Sequence, residues 1–343
     1  MREPSTTAMF AEAAESAQAV ARQLERNAAF ARGFGARLRT RPPRAVVTCA
    51  RGSSDHAATF AKYLVETRAG VLCSSAAPSI SSVYSAQQDL SDVLFVAISQ
   101  SGRSPDLIAT SEAAKRAGAT VVALVNAEGS PLAQAAHWHW PLHAGPEHSV
   151  AATKSFIASL AALVHLVASW RGDDELLARL ATLPRLLERA WALDWSRALE
   201  VLRDARHAFV IARGLGLGVA QEAALKCKET CGLHAEAFSS AEVAHGPQAL
   251  LGPGFPALLF AQDDEARDGV VAQAAVLAAR GVPVLIAGAQ AAGTTTLPTI
   301  AADPVLQPLL LAQSFYRLAN ELAIARGRDP DRPPHLSKVT STL

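Results

Sequence analysis

Val93-Leu94-Phe95-Val96-Ala97-Ile98-Ser99-Gln100-Ser101-Gly102-Arg103-Ser104-Pro105-Asp106 reads as a buried strand, a hydroxyl-rich turn and the start of a helix. Six apolar residues in succession, Val93 to Ile98, suit a strand covered on both faces. Ser104 is a favourable N-cap, and Pro105 fits the first helical position. The turn offers the side chains of Ser99, Gln100, Ser101 and Ser104 beside the N–H groups of a helix N-terminus. Such a place can hold a phosphate without a metal. The Walker sequence Gly-Lys-Ser/Thr is absent, so a small phosphorylated ligand is expected rather than a nucleotide. The same residues also suit an ordinary capped strand-to-helix loop, where Ser and Gly serve local hydrogen bonding.

Working outward, Ala45 to Cys49 reads as a strand that ends in Arg51-Gly52-Ser53-Ser54-Asp55, with a helix following through Glu66. Met9 to Leu38 has helical spacing, and Cys73 to Ser85 is rich in turn residues. The helix after Pro105 runs to about Arg116, Gly118 stops it, and Thr120 to Val125 makes the next strand. Ser149 to Trp170 reads as a long buried helix. Its apolar part, Ser155 to Trp170, has sixteen residues, short of the ~20 needed to span a bilayer. Strands alternating with helices imply a parallel sheet with helices on both faces.

The pattern then starts again. Asp174 to Arg206 is a polar-faced helical region. Ala208 to Ala212 is a strand ending in Arg213-Gly214-Leu215-Gly216-Leu217-Gly218, and Val219 to Cys231 is helical. Pro256 to Ala261 and Val284 to Ala287 read as further strands, and Leu309 to Ala325 as a helix. The repeated order implies an internal duplication with a boundary near residue 172. It is chemically lopsided: hydroxyl turns follow the strands of the first half, and a bare glycine turn follows that of the second. The first half is expected to hold an anion. The glycine turn fails as a dinucleotide fingerprint, because Val219 stands where the third glycine belongs and no acidic residue ends a following strand. Helix–strand packing is its expected role.

The chain has 343 residues, half of them hydrophobic, and 18% are charged, against ~25% for typical soluble domains. A formal net charge of +1 gives no general pull toward nucleic acid or membrane. Cys49, Cys73, Cys227 and Cys231 contain no C-x-x-C pair and read as reduced, packed thiols. The N-terminus has no signal-like apolar core, and a cytoplasmic location is expected.

The densest ionisable run is Glu222-Ala-Ala-Leu-Lys226-Cys-Lys228-Glu229, followed by His234, Glu236, Glu242 and His245-Gly246-Pro247. Glu222, Lys226 and Glu229 share a helix face. Such a face is often merely a solvated, salt-bridged surface. Here it lies in a charge-poor chain, after a strand, where α/β proteins place their ligands. A carboxylate, an ammonium and an imidazole are what proton transfer at carbon requires. In the tail, Pro333-Pro334 stiffens the approach to Lys338.

These motifs together resemble the sugar isomerase (SIS) family. They comprise the Gly-Ser-Ser turn at 52–54, Ser-Gln-Ser-Gly at 99–102, Val-Ala-Ala-Thr-Lys at 150–154, the Glu222 to Glu229 helix, His-Ala-Glu at 234–236, Glu242 to Pro247, and Lys338. More closely, nearly the whole chain looks like the isomerase half of glucosamine-6-phosphate synthase. The resemblance implies an α/β fold of two tandem SIS modules, each a parallel sheet flanked by helices in a flavodoxin-like three-layer sandwich. The modules would span 1–172 and 173–328, and a C-terminal tail, 329–343, would close the site. It implies that Gly52, Ser53, Ser54, Ser99, Gln100, Ser101 and Ser104 hold a sugar phosphate, and that Val150 and Ala152 line the sugar through backbone groups. Glu229 would move a proton between C1 and C2, with Lys226 assisting. His245, from the second subunit of a homodimer, would open the ring, and Lys338 would reach the carbonyl or imine carbon. That last role asks for a partly neutral amine, favoured by burial or a nearby cation. No metal or organic cofactor is implied, and neither nucleic acid nor membrane is an expected partner.

The chain departs from the synthase. The glutaminase domain is expected to be missing, and with it an internal ammonia source. Arg103 and Ser104 stand where the synthase has an acidic residue and Thr. This version resembles the stand-alone SIS-type glucosamine-6-phosphate deaminases, which release ammonia and fructose 6-phosphate. A fructosamine-6-phosphate deglycase or an amino-sugar-phosphate isomerase is an alternative on the same groups. A sugar-phosphate sensor is the alternative without catalysis.

Overall fold

Every residue of the quoted strand is buried in the computed structural model, which describes residues 3–338. The reason is its position. In chain order, α1 (Ala8–Ala14) and α2 (Ser16–Thr40) precede β1 (Ala45–Cys49), α3 (Ser53–Ala69), β2 (Cys73–Ser75) and α4 (Ser79–Ser82). Then come β3 (Val93–Ser99), α5 (Pro105–Arg116), β4 (Thr120–Val125), α6 (Pro131–Ala135) and β5 (Trp138–Pro141). The sheet runs β2-β1-β3-β4-β5, so β3 is central, and every pairing is parallel. A strand flanked on both sides and covered on both faces has no position for a polar residue until it ends at Ser99.

The next helices are α7 (Lys154–Arg171), α8 (Asp174–Ala181), α9 (Leu183–Trp191) and α10 (Ser196–Leu202). After them come β6 (His207–Ala212), α11 (Leu217–Cys231), β7 (His234–Ser239), α12 (Ser240–Val243), β8 (Ala257–Phe260), α13 (Arg267–Ala279), β9 (Val284–Ala287), β10 (Thr295–Leu297) and α14 (Gln307–Ala325). The second sheet runs β10-β9-β8-β6-β7, again all parallel. Counted from its own first strand, that is the order of the first sheet, 2-1-3-4-5. The expected α/β architecture of two parallel sheets with helices is therefore the observed one.

The residues separate into two compact units that interleave along the chain. One comprises 18–147, 154–184 and 337–338; the other comprises 3–17, 148–153 and 185–336. The expected chain-order division at 172 differs from these bounds for local reasons. Thr7 donates from Oγ1 to Asn320 Oδ1 at 2.6 Å, and the Ala8 and Met9 N–H groups donate to the Asp331 carboxylate at 3.0 and 2.8 Å. These contacts tie the N-terminus to the later unit. α8 packs on α7 and so stays with the earlier one.

Two expected helices are trimmed. Met9 to Leu38 breaks at Glu15, whose N–H turns back to the Ala11 and Glu12 carbonyls. The helix expected from Ser149 starts at Lys154, because the residues before it bond elsewhere. Ser149 N–H donates to the Glu12 carboxylate, and Val150 N–H to the Asp331 carbonyl. From Lys154 to Trp170 every residue of α7 is buried. No helix among the described residues is long and apolar enough to cross a membrane. All four cysteines are buried free thiols. Burial pushes the Cys49 and Cys73 thiols up to about 12, away from the reactive thiolate.

Candidate functional site

In the first unit, two strand-to-helix turns carry the expected phosphate residues. β1 leads through Arg51 and Gly52 into α3, which opens with Ser53 and Ser54. Gly52 has φ +56° and offers no side-chain cap. β3 leads through Gln100, Ser101 and Gly102 into α5. Ser104 occupies the N-cap with Pro105 behind it, as expected, yet its side chain makes no capping hydrogen bond. Both helix N-termini are thus free of side-chain caps, and that leaves N–H groups for a ligand.

The turn after β3 is held rigidly. Gly102 has φ +62°, and a Cβ there would lie 2.2 Å from Ser130 Oγ, so this position requires glycine. Gly102 N–H donates to Ser99 Oγ at 3.0 Å, its carbonyl accepts from Leu132 N–H at 3.1 Å, and the Gln100 carbonyl accepts from Ala127 N–H at 3.1 Å. Ser99 is buried, and its oxygen is committed to the turn. Its hydroxyl proton remains to donate. Ser101 Oγ accepts from Arg103 N–H at 3.3 Å.

Lys338 belongs to the same unit. Its Nζ lies 3.1 Å from Glu147 Oε2, and that carboxylate is fully buried. Glu147 also accepts from the Ser155 hydroxyl at 2.7 Å and the Ser155 N–H at 3.2 Å, in the first turn of α7. The role expected of Lys338 asks for a partly neutral amine, which burial or a nearby cation would favour; the observed neighbour is a carboxylate. Attack by this lysine on an imine carbon would require the pair to open. The residues after Lys338, included in the tail expected to close the site, lie outside the described ones.

The second unit carries the acid–base cluster. Lys226 and Glu222 are fully buried on α11, so this is no solvated face. Lys226 Nζ lies 2.5 Å from Glu229 Oε2 and 3.3 Å from Glu222 Oε1, and Tyr316 of α14 donates its hydroxyl to Glu222 at 3.0 Å. Burial disfavours the Lys226 ammonium, but Glu222 and Glu229 outweigh it and hold the lysine above its ordinary value. Glu229 keeps 23% side-chain exposure, so the buried row Tyr316–Glu222–Lys226 ends in one accessible carboxylate. Val150 and Ala152 are half-buried in this unit. The N–H of Val150 is taken by the Asp331 carbonyl at 3.3 Å, leaving its carbonyl as the group able to face a sugar. His245 stands exposed on the turn after α12. His234 and Glu236, quoted with this cluster in the sequence, are exposed residues of β7.

The glycine turn of the second unit is filled from within. Gln262 is buried, and its Oε1 would lie 2.6 Å from a Cβ at Gly216. Close packing, not a dinucleotide, explains the glycines. Among the described residues no cluster of three or more His, Cys, Asp or Glu is gathered as metal ligands would be.

Sequence reasoning overlooked Glu12, Glu147, Tyr316 and the Arg51–Asp106 pair. The signal for Glu147 was a lone acid in a charge-poor stretch, Gly145-Pro146-Glu147, just before the longest buried helix. Tyr316 carried none, since a tyrosine at helical spacing reads as core.

The SIS domain pattern matches residues 41–169 and 201–294. A glutamine–fructose-6-phosphate aminotransferase (isomerizing) of Aeropyrum pernix is 34% identical over 310 residues, covering 84% of this chain and 50% of that protein. The chain thus spans about half the length of the curated relatives it matches. The crystal structure of a candidate phosphosugar isomerase from Silicibacter pomeroyi DSS-3 superposes with a TM-score of 0.92 at 42% identity, covering 95% of this chain and all of that one. The C-terminal domain of glucosamine-fructose-6-phosphate aminotransferase from Francisella tularensis gives 0.87 at 26% identity, covering 96% and 98%.

Proposed function

The chain belongs to the SIS domain family, and on that footing we propose that it is an amino-sugar-phosphate isomerase that works as a glucosamine-6-phosphate deaminase. Glucosamine 6-phosphate and water would become fructose 6-phosphate and ammonia. The observation that carries the reading is the Glu229 carboxylate, accessible at one edge and fixed at the other by a buried ammonium. A base that must act on a carbon acid needs a defined position, and Lys226 supplies it.

The hydroxyl turns grip the phosphate. His245, acting from the second subunit of a homodimer, moves the proton that opens the ring. Glu229 takes the proton from C2. The C–H electron pair forms a C1–C2 double bond, and the carbonyl electrons move to O1, which gains a proton. Glu229 then returns its proton to C1, and the nitrogen lone pair closes a double bond to C2. Water adds to that imine carbon, and ammonia leaves. Lys338, paired with Glu147, polarises the open-chain carbonyl. The C1 carbonyl is the electron sink for the proton abstraction, and the C2 imine is the group that water attacks.

The deaminase direction is supported by the turn sequences at 52–56 and 99–106, which resemble those of stand-alone deaminases. Ammonia and fructose 6-phosphate measured in the same tube test it. Equimolar release of both is expected. Binding of glucosamine 6-phosphate with no product would overturn it in favour of sensing. Turnover of a C1-linked fructosamine 6-phosphate, with none of the free amino sugar, would overturn it in favour of a deglycase.

A further inference from the structure

We propose that Arg51 is a phosphate-binding residue, its guanidinium fixed by the buried carboxylate of Asp106. This inference rests on the sugar-phosphate reading above. The groups so far assigned to the phosphate, Gly52, Ser53, Ser54, Ser99, Gln100, Ser101 and Ser104, are all neutral. A phosphate monoester carries about −1.5 to −2 charges at pH 7. Helix N-termini supply roughly half a charge each, which leaves a charge deficit at this site.

Arg51 is placed to make up that deficit. It directly precedes Gly52 at the N-terminus of α3. Its Nε and Nη2 both reach Asp106 Oδ2, at 2.9 and 2.8 Å. Asp106 lies in the first turn of α5, two residues beyond Ser104, so one ion pair ties the two hydroxyl turns together. The pair is strongly polarised in its burial: the Asp106 side chain is 1% exposed and that of Arg51 is 52%. The negative end is sunk behind the turns and the positive end faces outward. Arg51 Nη1 makes no hydrogen bond among the described residues, so a donor remains on the open side. Asp106 by itself would repel an anion at this turn. Paired, it orients the fork, and oriented guanidinium is the side chain best matched to phosphate oxygens. Among the seven neutral groups none could discriminate a sugar phosphate from the free sugar by full charge; Arg51 can.

The bland alternative is that the pair only staples two loops. Calorimetric titration with inorganic phosphate and with glucosamine 6-phosphate, on wild type, Arg51→Gln and Arg51→Lys, separates the two, with kcat and KM measured on the same proteins. Arg51→Gln is expected to weaken both ligands and raise KM by about ten- to a hundredfold, the loss for one charged hydrogen bond, with kcat changed far less. Arg51→Lys keeps the charge but not the fork and should recover part of the loss. Unchanged phosphate affinity in Arg51→Gln, or a fall in kcat at constant KM, overturns the proposal. Should Arg51→Gln not fold, Arg51→Lys decides, because wild-type affinity in that variant also overturns it. If wild type itself binds neither ligand, the sugar-phosphate reading fails and takes this inference with it.

Discussion

At the scale of single residues, Lys226 shows why a buried charge cannot be judged by its neighbours in sequence. Spacing put Glu222, Lys226 and Glu229 on one helix face, which is as compatible with a wet surface as with a site. Burial of Lys226 between two carboxylates, with Tyr316 on the inner one, decides between them. Lys226→Met should therefore cost stability, because Glu222 would be left buried with Tyr316 alone from this row. Removing one partner of a buried pair costs about 3–5 kcal/mol, and a denaturant titration should register a loss of that order; a midpoint unchanged from wild type would mean that the row is not coupled. Glu229→Gln tests the other end. It preserves shape and hydrogen bonding but cannot take a proton, so kcat should fall by about 10²–10⁴. Affinity for inorganic phosphate, which the turns of the other unit govern, should stay at the wild-type value. Turnover near the wild-type rate would remove Glu229 from the mechanism.

At the scale of elements, what was legible depended on where a strand sits in its sheet. β1, β3, β4, β6, β8 and β9 are interior strands, and each reads as a short apolar run. β2, β5, β7 and β10 went unread, and each is an edge strand. An edge is paired on one side only, so it tolerates polar residues and short length: Cys73–Ser75 and Thr295–Leu297 have three residues each, and β7 carries exposed His234 and Glu236. The hydroxyl turns were legible because strand ends and helix starts have local signatures. The Arg51–Asp106 and Lys338–Glu147 pairs were not, since each joins residues far apart in sequence.

One element carries its own pH dependence. His165 lies in the middle of α7, edge-on to Trp140 at 5.7 Å, and its Nδ1 has no hydrogen-bond partner among the described residues. Burial lowers its pKa from 6.5 to about 4. Between those values the unfolded chain binds a proton that the folded chain excludes. Stability is therefore complete above about pH 6.5, declines as the pH falls toward 4, and loses no more below that. The span corresponds to about 3 kcal/mol. Denaturant titrations at pH 7 and pH 5 should show about 2 kcal/mol of this loss in wild type and a smaller one in His165→Leu. Equal slopes in the two proteins would assign the acid sensitivity elsewhere.

At the scale of the whole molecule, the two sheets repeat one strand order, yet the proposed phosphate site falls in only one repeat. The turn that follows β3 is Gln100-Ser101-Gly102-Arg103-Ser104; the turn in the same topological place after β8 is Gln262-Asp263-Asp264-Glu265. Hydroxyls and an arginine in one copy are replaced by three carboxylates in the other. Arg267 neutralises one of them, pairing with Asp263 at 2.5 Å. Gln262 turns inward, donating to the Arg213 carbonyl at 2.6 Å and to Asp264 at 3.0 Å, and so closes the space over the glycine turn. A phosphate there would meet three carboxylates against the single guanidinium of Arg267, which costs affinity wherever desolvation is partial. The duplicated fold thus keeps its backbone and divides its chemistry, with the proposed phosphate turns in one unit and a buried carboxylate–ammonium row in the other. Titration with glucosamine 6-phosphate should saturate at one equivalent per chain, and Ser101→Asp together with Ser104→Asp, which gives the first turn the character of the second, should abolish it. Two equivalents per chain, or retained binding in the double variant, would show that the acidic turn tolerates phosphate and that the division of labour is misread.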